Sequence, residues 1–269
     1  MAAVLLAAVA PFAAAAQQPP AAPPAPPTEA AKPENTLPPI SRDCQIGATQ
    51  IVSQTPLPNV ERALRERQRI SILVVGASPV TLRNSSVGGH YEVVEKLLEE
   101  TFKGLDVTIA HRGVSGELAR DAGERIKMDV ALLNPDLVLW QVGTADALAR
   151  MPIDEFEQSV TENIVWLRGH GVDVALIGLH YIKALTKDPN YQAIRDTLKR
   201  VSAALGVMRI SRYEAGETIT RLRSEQGKPL TGTRLTDAAY ECSAEYLSRA
   251  IASGLFLKTK DTRPPQPKK

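Results

Sequence analysis

Five short runs constrain this chain more than anything else in it. They are ISILVVG (70–76), DVTIAHRG (106–113), DLVLWQVG (136–143), VDVALIGLH (172–180) and VMRIS (207–211). ISILVVG is continuously apolar, the type of strand buried on both faces of a parallel sheet, and the others read as the second to fifth strands. Between them lie segments with helical spacing. GGHYEVVEKLLEETF (88–102) places Val93, Leu97, Leu98 and Phe102 on one face. GELARDAGERIKMDVALLN (116–134) stops before Pro135, and IDEFEQSVTENIVWLRGHG (153–171) closes on glycine. DPNYQAIRDTLKRVSAALG (188–206) opens with Asp-Pro and ends at Gly206. A charged opening helix (59–69), a helix over 215–224 and a closing helix over 237–252 complete the pattern. Strands alternating with helices of this length predict a parallel sheet covered on both faces. Right-handed crossovers then give an α/β, three-layer α/β/α sandwich with a five-stranded parallel sheet. Ligands of such sheets bind beyond the carboxyl ends of the strands. Ser78, Gly116, the GTAD at 143–146 and His180 all follow strand ends, so they are expected on one face.

The chain has 269 residues, 43% of them hydrophobic, enough for one sizeable core. A net charge of +2, with acids and bases mixed, excludes a dedicated nucleic-acid binder, which needs a concentrated basic face. Residues 1–16 hold an apolar run too short to span a bilayer, ending in small residues that suit a signal-peptidase cut. The run lacks a basic n-region, which leaves an uncleaved anchor as the alternative. Residues 17–40 are rich in Pro and Ala and predict an extended linker. The folded domain is expected over 41–258, with a basic, Pro-rich tail over 259–269. This arrangement implies an exported protein, periplasmic or secreted, with no membrane span after cleavage and acting as a monomer.

Export would place Cys44 and Cys242 in an oxidising compartment. They are too far apart for a CxxC redox pair or a zinc knuckle. A disulfide between them would tie the start of the domain to its last helix; two separate buried thiols are the alternative. His90, His111 and His170 are scattered, without the spacing of metal ligands, so neither metal nor cofactor is expected.

The order of these elements resembles the SGNH/GDSL hydrolases, a family of serine esterases and lipases with a flavodoxin-like sheet. The family's first block, Gly-Asp-Ser after the first long strand, is Gly76-Ala77-Ser78 here. Its second block supplies a glycine amide, and HRGVSGE offers Gly116, with His111 near the place of an asparagine common in the family. Its third block, Gly-x-Asn-Asp, is GTAD here: Gly143 and Asp146 are kept, and Ala145 replaces the asparagine. The last block, Asp-x-x-His, has lost its histidine. In one register Thr231 and Arg234 stand at the Asp and His positions; in the other, Asp237 and Tyr240 do. No histidine follows His180 in either case.

The resemblance implies a nucleophile at Ser78 and an oxyanion donor at Gly116. A serine hydroxyl needs a neighbouring base, and arginine stays protonated. Ala145 has no side-chain donor for an oxyanion, a contribution worth roughly 3–4 kcal/mol of barrier elsewhere. The expectation is therefore a catalytically impaired relative in which Ser78 and Gly116 are vestigial. Its cleft, with Ala145 on one wall and Arg234 favouring an anionic group, would bind an acylated or carbohydrate ligand or a cell-envelope partner. The alternative is an active serine esterase in which His180 has taken over as base.

Overall fold

The structure is a computed structural model that describes residues 37–45, 52–53, 55–76, 90–227 and 233–256. The expected leader (1–16), the linker up to residue 36, Ser78 and the basic tail (259–269) lie outside the described residues.

Five parallel strands form the sheet: β2 (Arg69–Gly76), β3 (Asp106–Gly113), β4 (Leu137–Gln141), β5 (Asp173–Ile177) and β6 (Met208–Ile210). A two-residue strand, β1 (Val52–Ser53), adds an antiparallel edge against β6. The spatial order is β1-β6-β5-β4-β2-β3. The chain leaves β2 towards β3 on one side, then crosses back to β4 on the other. The carboxyl ends of β2 and β4 are thus the point where the winding reverses, the place where such sheets bind ligands. The register runs Gly113, Gly76, Gln141 and Ile177 across that edge.

Alternation along each strand builds two cores. Ile70, Ile72, Val74, Leu137, Leu139, Ala175 and Ile177 face one side. They pack under α1 (Pro58–Arg67), α2 (His90–Thr101), α7 (Arg212–Glu225) and α8 (Thr233–Phe256). Leu73, Val75, Val138, Trp140, Val174 and Leu176 face the other side. There they meet α3 (Ala119–Leu133), α5 (Ile153–Gly169) and α6 (Pro189–Ala204). Both faces of β4 and β5 are fully covered, which is why their sequences carry no polar alternation. A short helix, α4 (Thr144–Leu148), follows β4 directly. No helix among the described residues is long and apolar enough to cross a membrane.

Cys44 and Cys242 form a disulfide, with their Cα atoms 5.2 Å apart. It fixes the single turn Arg42–Cys44 to α8. Neighbouring bonds lay the preceding segment along the same helix. Arg249 Nη1 donates to the Pro38 carbonyl at 2.9 Å, the Ser41 amide donates to Glu245 at 2.8 Å, and the Tyr246 hydroxyl donates to the Cys44 carbonyl. At the amino edge of the sheet, Asp173 accepts the amides of Asn59 and Val60, capping α1 onto β5.

Candidate functional site

The carboxyl edge of the sheet carries a cleft of 270 Å³. One wall is the loop after β3, with Ser115, Gly116 and Glu117. The floor and second wall are Gln141 to Asp146 and Leu148, and His180 and Arg212 close the far side.

Two glycines let the backbone come this close. A methyl on Gly76 would lie 2.5 Å from Gln141 Cβ, so only glycine lets β4 run alongside the end of β2. Gly143 has a φ of +102°, and a methyl there would meet Leu179 Cδ1 at 2.5 Å. Gly143 makes the turn from β4 into α4, and Asp146 locks it. The Asp146 carboxylate accepts the Gly143 amide at 3.0 Å and the Ala119 amide, at the start of α3, at 2.7 Å. One buried side chain thereby joins the two walls of the cleft. Burial pushes its carboxyl above the ordinary range, and the amide bonds pull against that rise.

Ala145, on the first turn of α4, lines the cleft with a methyl group alone. His180 lies three residues beyond β5 and is half-buried. Its amide donates to Thr144 Oγ1 at 3.0 Å, and its carbonyl accepts from the Tyr191 hydroxyl at 2.6 Å. Its Nε2 lies 3.5 Å from the Tyr240 hydroxyl, and the two rings meet edge to face. Glu117 is committed to Arg125, whose Nε donates to it at 2.7 Å. Gln141 donates from Nε2 to the Tyr91 hydroxyl, while its Oε1 has no partner among the described residues.

Arg212 follows β6 by two residues and opens α7. Only 4% of it is exposed. Its Nε donates to the Gly178 carbonyl at 3.0 Å, and its Nη1 has no partner among the described residues. It also lines a void of about 10 Å³ behind the cleft, with Tyr240 and Ser243.

The structure thus brings Gly116, Ala145 and His180 together, along with the rest of GTAD. Ser78 follows the end of β2 but lies outside the described residues. Arg234 falls in the first turn of α8, and its side chain is likewise outside the description. The other histidines lie elsewhere. His111 is on β3 against Tyr91, its ring pKa lowered by burial. His170 ends α5, stacked on Trp166. His90 begins α2. Among the described residues no group of acids, histidines and cysteines could hold a metal ion. Sequence reasoning missed Arg212 and Gln141, although both follow or end strands whose carboxyl edge marked the other site residues.

A family model described as the non-GDSL lipase-like family matches residues 43–256. No curated protein matches the chain. Among solved structures, one similar fold is a Parabacteroides merdae protein described as a GDSL-like lipase. It is 17% identical, with a TM-score of 0.54 over 68% of this chain and 96% of that one. LAE5, an α/β hydrolase from the metagenome of Lake Arreo, gives the same identity, score and coverage. A catalytic mutant of Axe2, an acetylxylan esterase from Geobacillus stearothermophilus, is 16% identical, with a TM-score of 0.53 over 70% and 95% of the two chains. At these identities the likeness is one of fold.

Proposed function

We propose, from the premise that the chain belongs to the non-GDSL lipase-like family, that its cleft is kept for binding and not for ester turnover. In this reading the protein is exported. It holds an acylated or carbohydrate ligand, or a partner of the cell envelope, at the carboxyl edge of its sheet. The observation that carries the reading is Ala145. It stands on the cleft wall, at the position where the resemblance calls for an oxyanion-binding asparagine, and offers only a methyl. The absence of any histidine after His180 supports it further, because the last block then supplies no imidazole.

One observation favours the rival reading, an active serine esterase. His180 lines the same cleft as Gly116, so an imidazole and a glycine amide share one cavity. The two readings separate on a single experiment. The purified protein is treated with a fluorophosphonate probe and assayed on p-nitrophenyl acetate, beside Ser78→Ala and His180→Ala. The binding reading expects no labelling and turnover no faster than that of Ser78→Ala. Turnover abolished by both substitutions would overturn it and assign the base to His180.

A further inference from the structure

Among the described residues Arg212 is a buried cation with no acid against it. A guanidinium keeps its charge at any physiological pH. An ionised group out of water is strongly unfavourable unless an opposite charge accompanies it. Yet this side chain is 4% exposed and bonds only the Gly178 carbonyl through Nε, with Nη1 unpartnered among the described residues. Among the described residues, the groups whose charge would act on it are Tyr240, Tyr91 and Tyr191. A tyrosine hydroxyl is neutral at physiological pH. Burial raises Tyr91 further and pushes Tyr191 up to about 12, so neither supplies an anion. A single water in the void beside Tyr240 and Ser243 could bond Nη1, but water carries no charge. The two acids of the cleft are committed elsewhere, Glu117 to Arg125 and Asp146 to two backbone amides.

We infer that Arg212 is the positive pole of an oxyanion subsite in this cleft, taking the carboxylate or phosphate group of a ligand. The inference rests on reading the cleft as a binding site, and it names the ligand's chemistry. The guanidinium lines the 270 Å³ cleft beside Gln141, Gly143 and His180, so an anion held there also meets a histidine ring. Low dielectric around this buried side chain strengthens the attraction, and a planar fork suits an oxyanion. The sequence of 77–89 contains no acid, and that of 228–239 contains one, Asp237. Asp237 is therefore the one rival counter-charge from those segments.

The test uses the full chain and two probes, sodium acetate and inorganic phosphate, titrated at constant ionic strength against chloride. Thermal midpoints and calorimetry are read for wild type, Arg212→Gln, Arg212→Lys and Asp237→Asn. A saturable rise in midpoint with one or both probes is expected, and the stronger probe distinguishes carboxylate from phosphate. Arg212→Gln should weaken binding at least about tenfold. Arg212→Lys should retain part of it, and carries the comparison if the glutamine variant does not fold. Wild type indifferent to both anions, or equal responses in wild type and Arg212→Gln, would overturn the subsite. So would anion binding that appears only in Asp237→Asn. Because the readout is binding and not turnover, an active esterase would end the reading of the cleft above without touching this result.

Discussion

Replacing Asp146 with alanine tests the claim that one carboxylate joins both walls of the cleft. The side chain is 1% exposed and accepts two buried amides, from Ala119 at 2.7 Å and Gly143 at 3.0 Å. Each amide left without a partner costs about 1–3 kcal/mol. Removing a desolvated carboxylate relieves part of that, so a net loss of about 2–4 kcal/mol is expected. Asp146→Asn keeps one carbonyl acceptor but turns an NH₂ toward the second amide, and should lose about half as much. Urea denaturation followed by far-UV circular dichroism measures both, with the slope m unchanged. The pH dependence is a second check. Burial raises the folded-state pKa above the ordinary value of 3.8, so the folded protein holds this proton more tightly than the unfolded chain does. Stability from this group therefore rises as pH falls through the raised pKa, and levels off below the unfolded value. Wild type should gain on Asp146→Asn as pH falls through the raised pKa toward the ordinary value of 3.8. A loss under about 1 kcal/mol in the alanine variant would refute the brace, since even one orphaned amide costs that much.

The disulfide closes a loop with a sequence separation of 198 residues. On chain entropy alone that contributes about 5 kcal/mol as an upper figure. Reductant, or the double change Cys44→Ser and Cys242→Ser, should lower the denaturation midpoint, and an unchanged midpoint would contradict it. Gly143→Ala should destabilise by about 1–3 kcal/mol, because it combines a φ of +102° with a clash against Leu179. Gly116→Ala, at a φ of +75° but with nothing within 4 Å of the added methyl, should cost less. The reverse order in denaturation would show that the Gly143 turn is not under steric constraint.

The central strands were legible because burial on both faces favours an unbroken apolar run, and 72–75, 137–140 and 174–177 supply it, whereas Asp106–Gly113 and Met208–Ile210 carry polar residues and were legible from the alternation of strands with helices. Val52–Ser53 was not legible. Two residues carry no period, and Val52 and Ser53 pair antiparallel with Ile210 and Arg209. The helix Thr144–Leu148 escaped for a similar reason: five residues are too few for helical spacing, and its start is set by the Asp146 carboxylate. The helix expected from residue 215 begins instead at Arg212, two residues after β6. That difference hid the arginine. A lone arginine in a short connector reads as solvent-exposed, whereas here the helix starts early and draws the side chain under the carboxyl edge. The strand-end rule that marked Gly116 and His180 applies equally to VMRIS, whose next residue is Arg212.

The charge balance of the cleft follows from that arrangement. Its two lining acids serve the fold: Glu117 holds Arg125, and Asp146 holds the two walls. Neither is free to orient an imidazole or to accept a proton from a hydroxyl. Among the described residues the cleft keeps a buried guanidinium whose Nη1 has no partner, and a histidine whose Nε2 lies beside a tyrosine hydroxyl. General-base chemistry needs an electron pair aimed at the nucleophile, with a partner to steady the charge that forms. Among the described residues the carboxylates of the cleft are committed and Nη1 of its cation has no partner, an arrangement of the opposite polarity. On the reading proposed above, it is expected to attract electron-rich groups of a ligand more readily than it removes protons.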